Sequence, residues 1–152
     1  MARVFVGLGS NEGDRLTQLS AAAQALGRLP GVRLVQMAPI LKSAPVGPPQ
    51  PDYLNTVVEL ATERTAQELL AGFKAIEAAM GRKPSAVRWG PRPIDLDLLF
   101  YDDLVLQEPE LSVPHERLHE RRFVLEPLAE LAPGLMHPVL KRTITELLAS
   151  CA

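Results

Sequence analysis

The sequence RWGPRPIDLDLLF at residues 88–100 contains the strand around which we interpret the rest of the chain. Asp95 and Asp97 alternate with apolar residues and lead into an apolar run that ends at Phe100, a pattern that predicts a mostly buried strand. Because side chains alternate between the two faces of a strand, we expect both carboxylates on one face, with Cα atoms roughly 6 to 7 Å apart.

Two carboxylates this close repel each other unless a proton, bound cations or solvent reduces their charge. Cations are favoured here, because residues 82–92 contain no acidic residue but carry Arg82, Lys83, Arg88 and Arg92. Carboxylate oxygens suit Mg²⁺ and guanidinium groups suit phosphates, so this combination is typical of a site for a Mg²⁺–polyphosphate complex. The alternatives are a solvated strand face and salt bridges between the aspartates and the arginines.

Composition restricts the class of protein. The 152 residues are consistent with one domain spanning 1–152 that buries a sizeable core. The formal net charge of −2 gives no general attraction to nucleic acid or to an anionic membrane. Cys151 is the single cysteine, which excludes an internal disulfide and a cysteine-based zinc cluster. Because no signal-like segment or apolar run of transmembrane length occurs, we expect a cytoplasmic protein.

Hydrophobic periodicity predicts the strands and helices. The expected strands are Arg3–Leu8, Val32–Ala38, Tyr53–Thr62, the segment from Asp95, and Leu104–Leu106. Whether the second strand continues past Pro39 to Lys42 stays open. The expected helices are Asp14–Leu29 and a segment that runs from a capping box at Thr65–Glu68 to Gly81.

This order of elements predicts an α+β fold with a ferredoxin-like βαββαβ core, an antiparallel sheet and both helices on one face of the sheet. The opposite face also needs cover. Two later segments with helical spacing, Val124–Ala132 and Thr143–Ala152, can supply it.

The glycines near the N-terminus allow two interpretations. Gly7 and Gly9 form a G-x-G after a predicted strand, which invites a nucleotide-binding interpretation. The complete phosphate-binding loop motif is absent, however. Initiation of the first helix, with Ser10, Asn11 or Asp14 as its cap, explains the segment better.

Tyr53 and Asn55 share one face at the start of their predicted strand, next to the proline-rich loop at residues 45–51. A ring and a carboxamide side by side suit a flat heterocycle, since the ring stacks on its face and the amide matches its edge. Core packing of Tyr53 and turn chemistry of Asn55 are the alternatives.

Two further regions supply candidate residues. Glu77 lies beside the apolar stripe near the end of the second helix, against the helix dipole, and is held there by Arg82 or by a ligand. His115, Arg121 and Phe123 cluster within nine residues. A surface location is the alternative for this cluster.

Taken together, these motifs resemble one family. They are the Gly9-Ser10-Asn11 start, the Pro51–Asn55 box, the Trp89–Leu99 run, and Val113-Pro114-His115 with Arg121 and Phe123. The family is 6-hydroxymethyl-7,8-dihydropterin pyrophosphokinase of folate biosynthesis. The resemblance implies transfer of the β,γ-pyrophosphoryl group of ATP to the pterin hydroxymethyl group, with release of AMP. It also implies a three-layer αβα sandwich that elaborates the ferredoxin-like core.

The resemblance further implies site residues. As metal ligands it implies two Mg²⁺ ions on Asp95 and Asp97, which form the catalytic group with Arg82 and Arg92. For the pterin it implies Ser43, Ala44, Val46, Tyr53, Asn55, Trp89 and Phe123. For ATP it implies Lys74, Glu77, Arg82, Arg88, Trp89, Arg92, Leu98, His115 and Arg121. The implied partners are these two substrates, with no nucleic acid or membrane, and the chain is expected to be a monomer or weak homodimer.

The sequence also departs from the family pattern. Lys74 stands where some members have Gln, Glu110 and Glu116 where some have Arg and Tyr, and Pro84-Ser85 where some have basic residues. These changes leave the implied metal and pterin sites untouched and bear on the adenosine contacts and the phosphate grip.

A ferredoxin-like binding module, for RNA or for a small regulatory molecule, is the second hypothesis. The RNA version is disfavoured because aromatic residues make up only 5% of a slightly acidic chain.

Overall fold

The computed structural model describes residues 1–82 and 90–152. Its strands are β1 (Ala2–Ser10), β2 (Val32–Met37), β3 (Leu41–Ser43), β4 (Tyr53–Thr62), β5 (Asp95–Tyr101), β6 (Leu106–Gln107) and β7 (Ser112–Val113). Its α-helices are α1 (Arg15–Arg28), α2 (Ala66–Ala79), α3 (Arg122–Leu131) and α4 (Ile144–Ser150). Not one of the helices in these two ranges is both long and apolar enough to span a bilayer.

The main sheet has the strand order β2-β4-β1-β5, and every neighbouring pair is antiparallel. This is the arrangement expected of the βαββαβ succession, so the predicted ferredoxin-like core is confirmed. The short strand β3 pairs with the start of β4, where Leu41 lies opposite Asn55 and Ser43 opposite Tyr53.

The structure decides one strand boundary that the sequence left open and corrects one predicted strand. The second strand ends at Met37 and does not continue past Pro39, which has no N–H to donate, and the chain pairs again only as β3. The strand expected at Leu104–Leu106 is instead β6, which pairs with β7 in a separate two-stranded sheet. The turn that redirects the chain has Asp102 at a φ of 48°.

Helices α1 and α2 pack on one face of the sheet. Of the three proposed caps for α1, Asp14 is the one that accepts a hydrogen bond from the N–H of Thr17. The predicted capping box of α2 is present at Thr65 and Glu68. Apolar side chains of both helices form one core with the sheet, which includes Val4, Val6, Leu26, Leu60, Leu69 and Phe73.

Helices α3 and α4 cover the opposite face. A second core between these helices and the sheet contains Phe5, Val57, Leu99, Phe100, Leu125, Leu128 and Leu147. The predicted three-layer αβα sandwich is therefore confirmed. The helices begin at Arg122 and Ile144, and a second capping box, at Thr143 and Glu146, starts α4.

Beyond the second core, the same face of the sheet carries the polar residues. The register pairs Gly9 of the central strand β1 with Asn55 on one side and with Asp95 on the other, and it pairs Gly7 with Asp97. Residues opposite each other in an antiparallel pair project to the same face. The fold thus brings polar residues of β4 and β5 to either side of two glycines.

Candidate active site

A cavity of about 690 Å³ opens over these strands. It brings together most of the residues that the sequence singled out: Ser43, Ala44, Val46, Tyr53, Asn55, Arg82, Arg92, Asp95, Asp97, His115, Arg121 and Phe123. These residues come from strands β3 to β5, from the segments that follow β3, α2 and β7, and from the first turn of α3. The sandwich therefore assembles one site from parts that are distant in the sequence.

Five other predicted residues do not line this cavity or lie outside the described residues, and Glu77 is one of them. Lys74 is exposed on α2 and does not line this cavity. Leu98 is buried and faces a neighbouring cavity instead. Arg88 and Trp89 lie outside the described residues, so their predicted roles stay predictions.

The floor of the cavity is formed by Gly7, Leu8 and Gly9 of β1. A Cβ atom at Gly9 would lie 3.2 Å from Asn55 Oδ1 and 3.3 Å from Tyr53 Cδ1, which is tighter than ordinary van der Waals contact. Glycine here keeps the floor open. Sequence reasoning missed this role because β1 continues to Ser10, whereas we expected a break at Gly9.

Asp95 and Asp97 both line the cavity, as the alternation of side chains predicted. Arg82 Nη1 lies 2.7 Å from Asp95 Oδ1. Burial and the neighbouring Asp97 raise the pKa of Asp95 to about 6, although Arg82 opposes this shift. The site thus holds two carboxylates whose mutual repulsion a bound cation would relieve.

Glu77 is held by protein groups. Its Oε2 accepts a hydrogen bond from the backbone N–H of Leu96 at 2.9 Å and pairs with Arg82 Nη1 at 2.5 Å. The sequence left two possible partners for Glu77, Arg82 or a ligand, and the structure shows the contact with Arg82. Glu77 does not line the cavity and joins the end of α2 to the start of β5.

Tyr53 and Asn55 project together from the start of β4, as predicted. Asn55 is buried, and its Nδ2 donates to Ser43 Oγ at 2.6 Å, so its amide orientation is set by β3. Burial and the charge of Asp95 raise the pKa of Tyr53, which keeps its phenol neutral near pH 7. Phe123 lines the same cavity and supplies a second ring.

His115 and Arg121 lie in the segment between β7 and α3. The backbone N–H of Arg117 donates to His115 Nδ1 at 3.2 Å, which leaves Nε2 to carry the proton of the neutral ring. Burial lowers the pKa of His115, although the charge of Asp97 opposes this shift. The Arg121 guanidinium lies 5.8 Å from the centre of the Phe123 ring.

A second cavity of about 580 Å³ adjoins the first, and Asp97 and His115 line both. Its lining combines apolar and polar residues, which include Leu70, Leu98, Glu110, Leu111, Ser112 and Glu116. Sequence reasoning named Leu98, Glu110 and Glu116 in this context. It missed Leu70, Leu111 and Ser112, whose apolar or short side chains give no separate signal.

Sequence reasoning also missed Thr56, Arg117, Glu120 and Val124, which line the first cavity. Arg117 and Glu120 belong to the His115–Phe123 run that we had noted. No periodicity in that run indicates which of its many charged residues face inward.

A cavity lined by two aspartates, several arginines and aromatic side chains on a ferredoxin-like sandwich has the groups that a phosphoryl-transfer enzyme needs. A family model described as 7,8-dihydro-6-hydroxymethylpterin-pyrophosphokinase (HPPK) matches residues 5–133. The chain belongs to this family. It is an ATP-dependent 2-amino-4-hydroxy-6-hydroxymethyldihydropteridine diphosphokinase of folate biosynthesis. The enzyme transfers the pyrophosphoryl group of ATP to 6-hydroxymethyl-7,8-dihydropterin. The family and the function that the sequence motifs implied are therefore confirmed.

Curated relatives carry the name of this enzyme. The chain is 45% identical over 150 residues to 2-amino-4-hydroxy-6-hydroxymethyldihydropteridine pyrophosphokinase of Pseudomonas aeruginosa, an alignment that covers 98% of this chain and 91% of that protein. It is 39% identical over 153 residues to the enzyme of the same name from Haemophilus influenzae, which covers 100% and 94%.

Solved structures agree on the fold. A crystal structure of Plasmodium falciparum HPPK-DHPS matches 97% of this chain with a TM-score of 0.78 at 16% identity. A second HPPK-DHPS structure, in complex with substrates, matches 99% with a TM-score of 0.77 at 12% identity. This chain spans 45% of the length of each of those chains.

Proposed function

We propose that the cavity over β1, β4 and β5 is the active centre and that Asp95 and Asp97 hold two Mg²⁺ ions that bind with ATP. The main support for this proposal is that both carboxylates line one cavity with Arg82, Arg92 and Arg121. Within residues 1–82 and 90–152, no group of three or more acidic, histidine or cysteine side chains is arranged to hold a metal. Mg²⁺ does not need such a group, because it commonly takes one or two carboxylates and completes its shell with water and phosphate oxygens.

The pterin is proposed to lie between Tyr53 and Phe123. The rings supply the two faces of a slot for a flat heterocycle, and Asn55 supplies an edge-reading amide. Because Asn55 Nδ2 is engaged by Ser43, its Oδ1 is the atom available to accept from the N–H groups of the pterin. Ala44 and Val46 form the rim on this side.

The triphosphate is proposed to lie between the aspartates and the arginines, and the nucleoside in the second cavity. Asp97 and His115 line both cavities, so a single ligand can extend from one to the other. Leu98 offers an apolar contact to the nucleoside, and His115 Nε2 offers a donor to a phosphate oxygen. Contacts from Lys74, Glu77, Arg88 and Trp89 remain predictions.

The chemistry needs alignment and charge neutralisation more than covalent participation. Bound Mg²⁺ supplies charge neutralisation to the phosphates and lowers the pKa of the attacking hydroxyl. The hydroxymethyl oxygen forms a bond to the β-phosphorus and its proton passes to solvent water. The bond from the β-phosphorus to the bridging oxygen of the α-phosphate breaks, and AMP leaves with that oxygen. Arg82 and Arg92 stabilise the charge that develops on the transferred group.

The protein is also proposed to act as one domain, as a cytoplasmic monomer or weak homodimer that binds neither nucleic acid nor membrane. The small net charge of −2 supports the proposal that the protein binds neither nucleic acid nor an anionic membrane.

Calorimetric titration with a non-transferable α,β-methylene analogue of ATP tests the site. We expect binding that requires Mg²⁺ in the wild type and is strongly weakened in Asp97→Ala. The matched control is Asp103→Ala, which removes an exposed carboxylate outside both cavities. Equal Mg²⁺-dependent binding by Asp97→Ala and the wild type would contradict the proposed metal site.

A further inference from the structure

Asn11 lies directly after β1 and is completely buried. Its side chain and backbone make four hydrogen bonds, all to segments distant in sequence. Nδ2 donates to Gln50 Oε1 at 2.7 Å and to the carbonyl oxygen of Pro51 at 3.0 Å. Oδ1 accepts from the backbone N–H of Arg92 at 2.8 Å, and the backbone N–H of Asn11 donates to the carbonyl oxygen of Arg92 at 3.1 Å.

The two segments that Asn11 joins carry different parts of the active centre. Gln50 and Pro51 end the loop that begins at the pterin rim and lead directly into Tyr53. The loop end is held further by Arg15, whose Nη1 donates to the carbonyl oxygen of Asp52 at 2.9 Å. Arg92, on the other side of Asn11, lines the cavity beside the aspartates.

The chemistry of the side chain explains why an asparagine suits this position. One end of the amide must donate twice to the loop and the other must accept from Arg92. A carboxylate of the same shape can accept but cannot donate, and an alanine can do neither. Because the site is fully buried, groups left without a partner would retain their desolvation cost, so the two segments would separate or admit water.

We propose that Asn11 is a positioning residue that couples the pterin pocket to the phosphate-binding arginine. This rests on the proposed function, since it takes Tyr53 as a pterin contact and Arg92 as a phosphate contact. When a bound phosphate restricts the motion of Arg92, the hydrogen bonds of Asn11 also restrict the backbone at residues 50–51. The pterin then binds to a loop that already has its bound conformation. Binding of the two substrates is therefore cooperative, and by linkage each raises the affinity for the other by the same factor.

The experiment measures that factor. The dissociation constant of 6-hydroxymethyl-7,8-dihydropterin is determined by fluorescence titration with and without Mg²⁺ and the α,β-methylene analogue of ATP. The ratio of the two constants is the coupling factor, and we expect about fivefold or more in the wild type. Asn11→Ala should bring the ratio close to one, while thermal unfolding confirms that the variant is folded.

Ser10→Ala is the matched control. Ser10 is equally buried and adjacent in sequence, but the hydrogen bond of its hydroxyl goes to Gln18 Oε1 of α1 at 3.0 Å and not to either loop. A purely structural role for this turn predicts lower thermal stability in both variants with an unchanged ratio. The proposed role predicts that the ratio falls only in Asn11→Ala.

A folded Asn11→Ala variant that keeps the wild-type ratio would overturn the proposal, and so would a wild-type ratio of one. If Asn11→Ala does not fold, Gln50→Ala decides, because it removes one of the two loop acceptors and leaves Asn11 in place. A reduced ratio in Gln50→Ala supports the coupling, and an unchanged ratio overturns it. A wild type that fails to bind the Mg²⁺–nucleotide contradicts the proposed function itself, whereas normal binding of both ligands without coupling contradicts only the role of Asn11.

Discussion

Arg82 donates to Asp95 across 2.7 Å, and the same nitrogen lies 2.5 Å from Glu77. The guanidinium is thus placed between a carboxylate that lines the cavity and one that anchors the strand start. Glu77 is a fixed partner for Arg82, because its Oε2 also accepts a hydrogen bond from the backbone N–H of Leu96. These two ion pairs hold the cation of Arg82, in the segment that follows α2, beside the proposed phosphate position.

Replacement of Arg82 should therefore affect turnover more than nucleotide affinity. In Arg82→Ala we expect the turnover number to fall by about 100-fold or more, a loss typical of removing one group that stabilises transition-state charge. AMP formation measured at saturating substrates gives the turnover number, and calorimetry gives the affinity. Arg82→Lys keeps the charge but not the planar fork, so it should recover only part of the rate. Weaker nucleotide affinity with an unchanged turnover number would indicate that Arg82 contributes only uniform binding.

Asp97→Ala should abolish most catalysis and leave the fold intact. The side chain lines the cavity and makes no ion pair with any described residue in the structure, so its removal should cost little stability. We expect AMP release to fall by at least about 100-fold, because charge neutralisation at the phosphates is lost. Circular dichroism checks the fold, and Asp103→Ala serves as the control. Near-normal AMP release by the folded variant would refute the metal role.

Tyr53→Ala should chiefly weaken pterin binding. Stacking of a flat heterocycle on an aromatic ring contributes about 1 to 3 kcal/mol, which corresponds to a rise in the dissociation constant of roughly 5- to 150-fold. Tyr53→Phe keeps the ring and should bind nearly as well as the wild type. Fluorescence titration with the pterin measures both constants. An unchanged constant in Tyr53→Ala is incompatible with stacking on this ring.

Gly9→Ala should narrow the floor of the cavity. The new Cβ would approach Asn55 Oδ1 to 3.2 Å and Tyr53 Cδ1 to 3.3 Å, so these pterin contacts must move by a few tenths of an ångström. We expect weaker pterin binding with little change in binding of the Mg²⁺–nucleotide. Gly134→Ala is the control, since no atom lies within 4 Å of the added Cβ. Pterin binding equal to that of the control would exclude Gly9 as a determinant of the pocket.

His137 should make the protein less stable in acid. It is buried, its Nδ1 accepts from the backbone N–H groups of Val139 and Leu140, and its ring packs edge-on against Phe100. Burial lowers the pKa of His137 below its usual value of 6.5. The unfolded chain therefore takes up the proton more readily than the folded protein, and the contribution of His137 to the free energy of unfolding should decrease as pH falls below about 6.5.

Urea unfolding at pH 8.0, 6.5 and 5.5 measures this dependence. His115 also has a lowered pKa and contributes a change of the same sign, whereas Asp95, whose pKa is raised to about 6, contributes one of opposite sign. The test therefore compares the wild type with His137→Asn, in which these other contributions are shared. The variant should be less stable at pH 8.0 and lose less stability on acidification than the wild type. Equal slopes in the two proteins would exclude His137 as a source of the pH dependence.

Several features of this fold are determined by residues close together in the sequence. The strand Tyr53–Thr62 has the predicted bounds, and the capping box at Thr65–Glu68 forms as expected. Asp95 and Asp97 face one cavity because strand alternation follows from backbone geometry alone. Such features depend on periodicity and on hydrogen bonds between near neighbours, which a sequence displays directly.

The remaining features depend on which strands become neighbours. Gly7 and Gly9 form a cavity floor only because β1 lies between β4 and β5, and Asn11 joins two loops that are 39 to 81 residues away in the chain. The sequence alone determined the types and order of the elements, the paired acids and the membership of the family. The tertiary structure decided which side chains meet, because contacts between distant segments follow from packing and leave no periodic trace in the sequence.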